Sequence, residues 1–148
     1  MAAATTADAQ VIMQLYDLRR EPEMRKARNW FAMFDPQSAD ELTSTVMEFG
    51  SDANRYFRMV SSYWEMAAAM ALHGAVNEQL FLDTQSEMFF IFAKIAPHLD
   101  GFRQKIDNPE AMKKVETLIN RSEESKKKLQ AFRDRISKMR ASAAAQKK

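Results

Sequence analysis

The chain has 148 residues, 46% of them apolar and 28% charged, with a formal net charge of +2. Those proportions fit one folded domain that buries its own core. Cysteine is absent, which excludes disulfides, thiolate zinc or iron–sulfur centres, and cysteine nucleophiles together.

With 3 glycines and 4 prolines against 11 methionines, turn formers are scarce and unbranched apolar residues plentiful, which favours helix over sheet. The expected fold is all-α: a single helical bundle of five to six helices. The segment Met1–Gln10 has no basic and no apolar stretch of the kind that makes a secretory signal. The most apolar run, Met88–Ala96, is about half of what a bilayer span needs. No transmembrane segment and a cytoplasmic location are therefore expected.

In chain order, Leu15, Tyr16 and Leu18 lie on the apolar side of a first helix from about Thr6 that Pro22 ends. A second helix restarts at Pro22 with Ala27, Trp30, Phe31 and Phe34 inward, and Asp35-Pro36 breaks it. Ser38 followed by Glu41 has the spacing of a capping box and opens a third helix, which Gly50 closes. Residues 51–73 carry a wide apolar stripe through Phe57, Val60 and Trp64, which suits a central helix with several neighbours. A fifth helix from Asn77 carries Leu80, Phe81, Phe89, Phe92 and Ile95, with Pro97 kinking or ending it.

The sixth helix is predicted to start at Asn108-Pro109-Glu110 and to run unbroken to about Ala144. Such a rod is about 50 Å long, longer than a body of this size can cover. The expected division is a body over residues 1–107 and a long C-terminal helix over 108–148, frayed after about 141. Val115, Leu118, Ser122, Ser125, Leu129, Phe132, Ile136 and Met139 fall at alternating spacings of three and four, a heptad seam with a polar interruption. Its second half, Leu129, Phe132, Ile136 and Met139, is the expected seam of a homo-oligomer. Charge is split as well: residues 121–148 carry +7 and residues 1–120 carry −5.

Signals of chemistry are sparse. Neither histidine has an acid three residues before it, so the Glu-x-x-His pattern of helical di-metal sites is missing, and no metal or other cofactor is expected. His73, one residue before Gly74, suits a helix C-terminus. The isolated glycines do not form a phosphate loop, and no Gly-x-Ser-x-Gly elbow occurs. Glu65, beside Trp64 in an apolar stretch, needs a partner if it is buried. Arg28 and Arg25 are the candidates, either as a structural ion pair or as a small polar pocket of Arg28, Trp30, Trp64 and Glu65. The basic residues Lys126, Lys127, Lys128, Arg133, Arg135, Lys138 and Arg140 form a candidate anion-binding patch. Phe132 is the one aromatic among them, and it falls in the seam.

The stretch LYDLRREPEMRKARNWF at Leu15–Phe31, Tyr56-Phe57, Ser62-Tyr63-Trp64-Glu65 and His73-Gly74-Ala75-Val76 resembles a widespread group of small helical bacterial proteins of unknown function. The resemblance implies no activity and points to Trp64, Glu65 and Gly74. Many members of that group carry an N-terminal membrane helix, which this chain is not expected to have.

Three functions follow in order: a non-enzymatic interaction or structural module that self-associates, a nucleic-acid-binding accessory protein using residues 121–148, and a small-ligand binder or enzyme around Glu65 and Arg28.

Overall fold

The computed structural model describes residues 2–147. They fold into α1 (Thr6–Leu18), α2 (Pro22–Met33), α3 (Ala39–Val46), α4 (Asp52–Leu72), α5 (Glu78–Thr84), α6 (Ser86–Ile95), a 3-10 turn (Ala96–His98), α7 (Leu99–Lys105), α8 (Lys113–Asn120) and α9 (Glu123–Gln146). No strand occurs among the described residues. The fold is all-helical with a long C-terminal helix, as expected, but has more helices than five or six.

The extra boundaries arise where local chemistry interrupts an apolar pattern. Gln85 leaves helical geometry at φ −111° and ψ 60° and separates α5 from α6 without a glycine or proline. The helix expected from Asn108 begins only at Lys113. The Asn108 carboxamide oxygen accepts from the Glu110 amide at 3.0 Å, and Met112 sits in left-handed geometry at φ 57°. Asx turns of this kind compete with helix. The serines of the heptad seam are a second break: Ser122 accepts from the Ser125 amide and caps a new helix. The unbroken sixth helix is therefore two helices, joined at Arg121–Ser122.

The other boundaries follow the predicted signals, except that α3 ends at Val46 with Met47 as its C-cap, four residues before Gly50. Thr5 and Asp8 form a reciprocal capping box at α1. Ser38 caps α3, whereas Glu41 accepts from the Gln37 amide rather than closing the box. Gly74, at φ 75°, lets the amides of residues 74 and 75 reach the carbonyls of Ala71 and Met70, a Schellman closure of α4.

Helix α4 is the hub, packed against α2, α3, α5 and α8. Phe31, Phe57, Val60, Trp64, Phe81, Phe89, Phe92 and Ile95 enter the core as expected, while Trp30 and Leu80 stay half-buried. Lys94 is a buried cation that the apolar pattern hid. Its ammonium donates to the carbonyls of Phe31, Ala32 and Phe34 at 3.1, 2.7 and 2.8 Å and so closes the C-terminal end of α2. Burial draws its pKa down to about 8, with Asp35 opposing the fall and Arg140 adding to it.

Helix α9 folds back along α6 as far as Arg140, and residues 141–147 are exposed. Lys128 donates to the Leu82 carbonyl at 2.9 Å and lies over the Phe89 ring. Phe132 stacks on Phe89 with centroids 6.3 Å apart, Ile136 is buried, and Arg140 grips Asp35 through its Nε at 2.8 and 3.0 Å.

Ile136→Ala is expected to destabilise the chain by about 2–4 kcal/mol in urea unfolding, and Met139→Ala to stay within about 0.5 kcal/mol. Equal effects would mean that α9 is not held on α6. Arg140 holds the Asp35 carboxyl below its usual value. The stability this pair adds is therefore present at neutral pH and lost as the pH falls through the folded value. The gap in stability between wild type and Asp35→Asn is expected to close as the pH drops below the ordinary aspartate value of 3.8, and a gap independent of pH would count against the pairing.

Candidate functional site

A groove of about 720 Å3 runs along the side of α4 that faces α3, α7 and the 107–112 connector. Its floor is apolar and buried: Val46, Phe57, Phe102 and Met112. Phe49, 79% exposed, stands at the rim with Met47. The polar lining is divided. Arg55 and Arg58 sit on α4, and Glu110 sits on the connector wall. An apolar trough with charged rims is the form in which helical folds take up an amphipathic segment.

The connector wall stores strain and is tied down to hold it. Asp107 and Met112 both lie at positive φ, 52° and 57°, a geometry that costs a non-glycine residue about 1–2 kcal/mol. Arg103 offsets this. Its Nε donates to the Ala111 carbonyl at 2.9 Å, and its terminal nitrogens reach Glu116 at 3.3 Å. Burial alone would raise the Glu116 carboxyl, but Lys113 and Arg103 outweigh it and hold the group below its ordinary value.

Glu65 lies at the end of this groove. Its two carboxylate oxygens accept from the amides of Val115 and Lys114 at 2.9 and 3.2 Å. These are first-turn amides of α8, whose own N-cap, Met112, supplies no side-chain acceptor. Glu65 is therefore the cap of α8, delivered from another helix, where a negative charge also meets the positive end of the helix dipole.

The expected pairing of Glu65 with Arg28 is not formed. Arg28 pairs instead with Glu87 at 2.6 Å and donates to the Arg19 carbonyl at 3.2 Å. Trp64 is fully buried with the Arg19 guanidinium 5.5 Å from its ring, while Trp30 stacks on Phe34 at 4.6 Å. The four residues do not line one pocket. A shallow polar pocket of about 340 Å3 does lie beside Arg28, lined by Arg25, Asn29, Glu87 and Phe90.

The seam residues Leu129, Phe132 and Ile136 pack on the chain's own body, and Met139, 61% exposed, is the one left in solvent. The basic residues scatter. Lys126 pairs with Glu123, Lys128 with a carbonyl and Arg140 with Asp35. Arg133 is half-buried, and Arg135 lies 4.8 Å from its own neighbour Phe132. Lys127 and Lys138 are exposed. No group of three or more His, Asp or Glu among the described residues is arranged to hold a metal ion, and no helix among them is long and apolar enough to cross a membrane.

The sequence does not announce the groove: Phe49, close to Val46 and Met47, reads as an inward residue of the third helix, whereas α3 ends at Val46 and leaves Phe49 exposed at the rim. Its walls come from segments far apart in the chain.

Glu65→Ala is expected to cost about 1–2 kcal/mol, the value of a lost helix cap. It should also speed amide exchange at Lys114 and Val115. Unchanged exchange at those two amides would show that Glu65 is not the cap.

No curated protein and no solved structure shows a significant match to the chain. One family does match, over residues 4–122, from the residue before the α1 cap to the cap of α9. The aromatic-Trp-Glu element, the groove and its connector wall all fall inside that span, and α9 falls outside it. The chain belongs to the DUF4760 family, whose common element is described as a domain of unknown function.

Proposed function

We propose that the protein is a non-enzymatic helical interaction module that self-associates, working through surfaces of the family domain rather than through α9. The observation that carries this reading is where apolar surface remains uncovered. Of the eight large apolar side chains left exposed among the described residues, four lie in two places: Met13 and Tyr16, one turn apart on α1, and Met47 and Phe49 along the groove. Exposed apolar surface gathered into patches favours association, whereas scattered apolar residues carry no such implication. One patch is a convex helix and the other a concave trough.

The heptad seam is not the basis of this proposal, because its apolar residues other than Met139 are already covered by the chain's own body. The basic residues of α9 support a nucleic-acid role less well, since three of the seven are engaged within the chain.

Sedimentation or light scattering of the full chain is expected to give a mass above that of one copy, rising with concentration through the micromolar range. A single-copy mass across that range would rule the proposal out.

A further inference from the structure

The two uncovered surfaces differ in shape, and each carries an acid and a base without an ionic partner among the described residues, which suggests how copies meet. On α1, Met13 and Tyr16 lie one turn apart, 65% and 50% exposed, off the face that buries Leu15. Asp17 follows Tyr16, and the Arg19 and Arg20 guanidiniums lie 5.5 and 5.9 Å from the Tyr16 ring, with Arg19 half-buried and Arg20 exposed. The stripe is therefore two apolar anchors flanked by an acid and a base. On the groove, the apolar floor is flanked by Arg58 on α4 and by Glu110 on the connector. All four charged residues are exposed, and none has an ionic partner among the described residues.

A copy does not fill its own groove with its own α1. The Tyr63 hydroxyl donates to the Leu15 carbonyl at 2.5 Å and seats α1 against another side of α4. Burial pushes the Tyr63 pKa up to about 12, so the donor stays protonated at any ordinary pH. Tyr63 is five residues from Arg58, roughly 140° round the helix. The face of α4 that holds α1 is thus not the face that lines the groove.

We infer that α1 of one copy docks in the α3–α4–α7 groove of a second copy, with Met13 and Tyr16 on the apolar floor, Asp17 against Arg58 and Arg20 against Glu110. This deepens the self-association reading and rests on it. The contact joins two different surfaces, so each copy keeps one free stripe or one free groove, and copies add head to tail into a ring or an open chain. Helix-in-groove recognition uses anchors at this spacing, and opposed charges on the rims set the direction in which the helix lies.

The test is a charge exchange read by sedimentation of the full chain. Asp17→Arg and Arg58→Glu each place like charges face to face, and each is expected to weaken association about tenfold or more. The double variant Asp17→Arg/Arg58→Glu restores opposite charges and is expected to recover the wild-type mass distribution. Both sites are exposed, so the fold is not at stake. If wild type associates and the single variants match it, or the double variant stays dissociated, this contact is wrong while self-association stands. If wild type is a single copy throughout, both readings fall.

Discussion

The C-terminal third of this protein depends on one carboxylate. Helix α8 starts from a left-handed methionine that offers no acceptor, and two of its first-turn amides, those of Lys114 and Val115, find their acceptor in Glu65, which reaches across from α4. Uncapped amides are costly, and a charged acceptor at a helix N-terminus satisfies hydrogen bonding and dipole together. Because α9 follows α8 after a two-residue joint, the placement of α8 sets the line along which α9 meets α6. The same side chain closes one end of the groove. Groove geometry, α8 and the path of α9 therefore share one determinant.

Much of the fold was legible in the sequence because its boundaries carry chemistry that acts locally. Pro22, Ser38, Ser51 and Gly74 each start or stop a helix by backbone geometry or by a hydrogen bond to a near neighbour. The boundaries that escaped reading are those set at a distance or by conformation alone. Gln85 ends α5 without a breaker residue, and Met112 adopts a geometry that methionine does not advertise. At Asn108-Pro109 two signals compete: the pair is a good helix start, but the Asn108 side chain stabilises a turn instead. At Ser122 the same atoms fit either reading, a polar point in a heptad or a new cap, and the cap prevails.

The candidate site was less legible. Glu65 stood out as an acid in an apolar setting, but its partner was sought among arginines, whereas the partners are backbone amides that no side-chain pattern encodes. Arg28 reads in the sequence as a partner for Glu65, whereas the acid it holds is Glu87, 59 positions away. Lys94 reads as an interruption in an apolar run, yet it serves as a three-carbonyl clamp on α2. In each case the residue type was informative and the partner came from topology. The heptad seam shows the converse. A spacing suited to pairing with another helix found that helix, α6, within the same chain.

The way α9 is fastened has a mechanical consequence. Its attachments advance in step from α5 along α6 to the connector after α2, from Lys128 on Leu82, through Phe132 on Phe89, to Arg140 on Asp35. The first and last are twelve residues apart, about 18 Å of helix. A load applied at the C-terminus therefore reaches the Asp35 grip before any other, then Ile136, then Phe132, so the contacts yield singly rather than together. Under tension α9 peels like tape from its free end, at far lower force than shearing it lengthwise off α6 would require. The family domain beneath it need not unfold for that to happen.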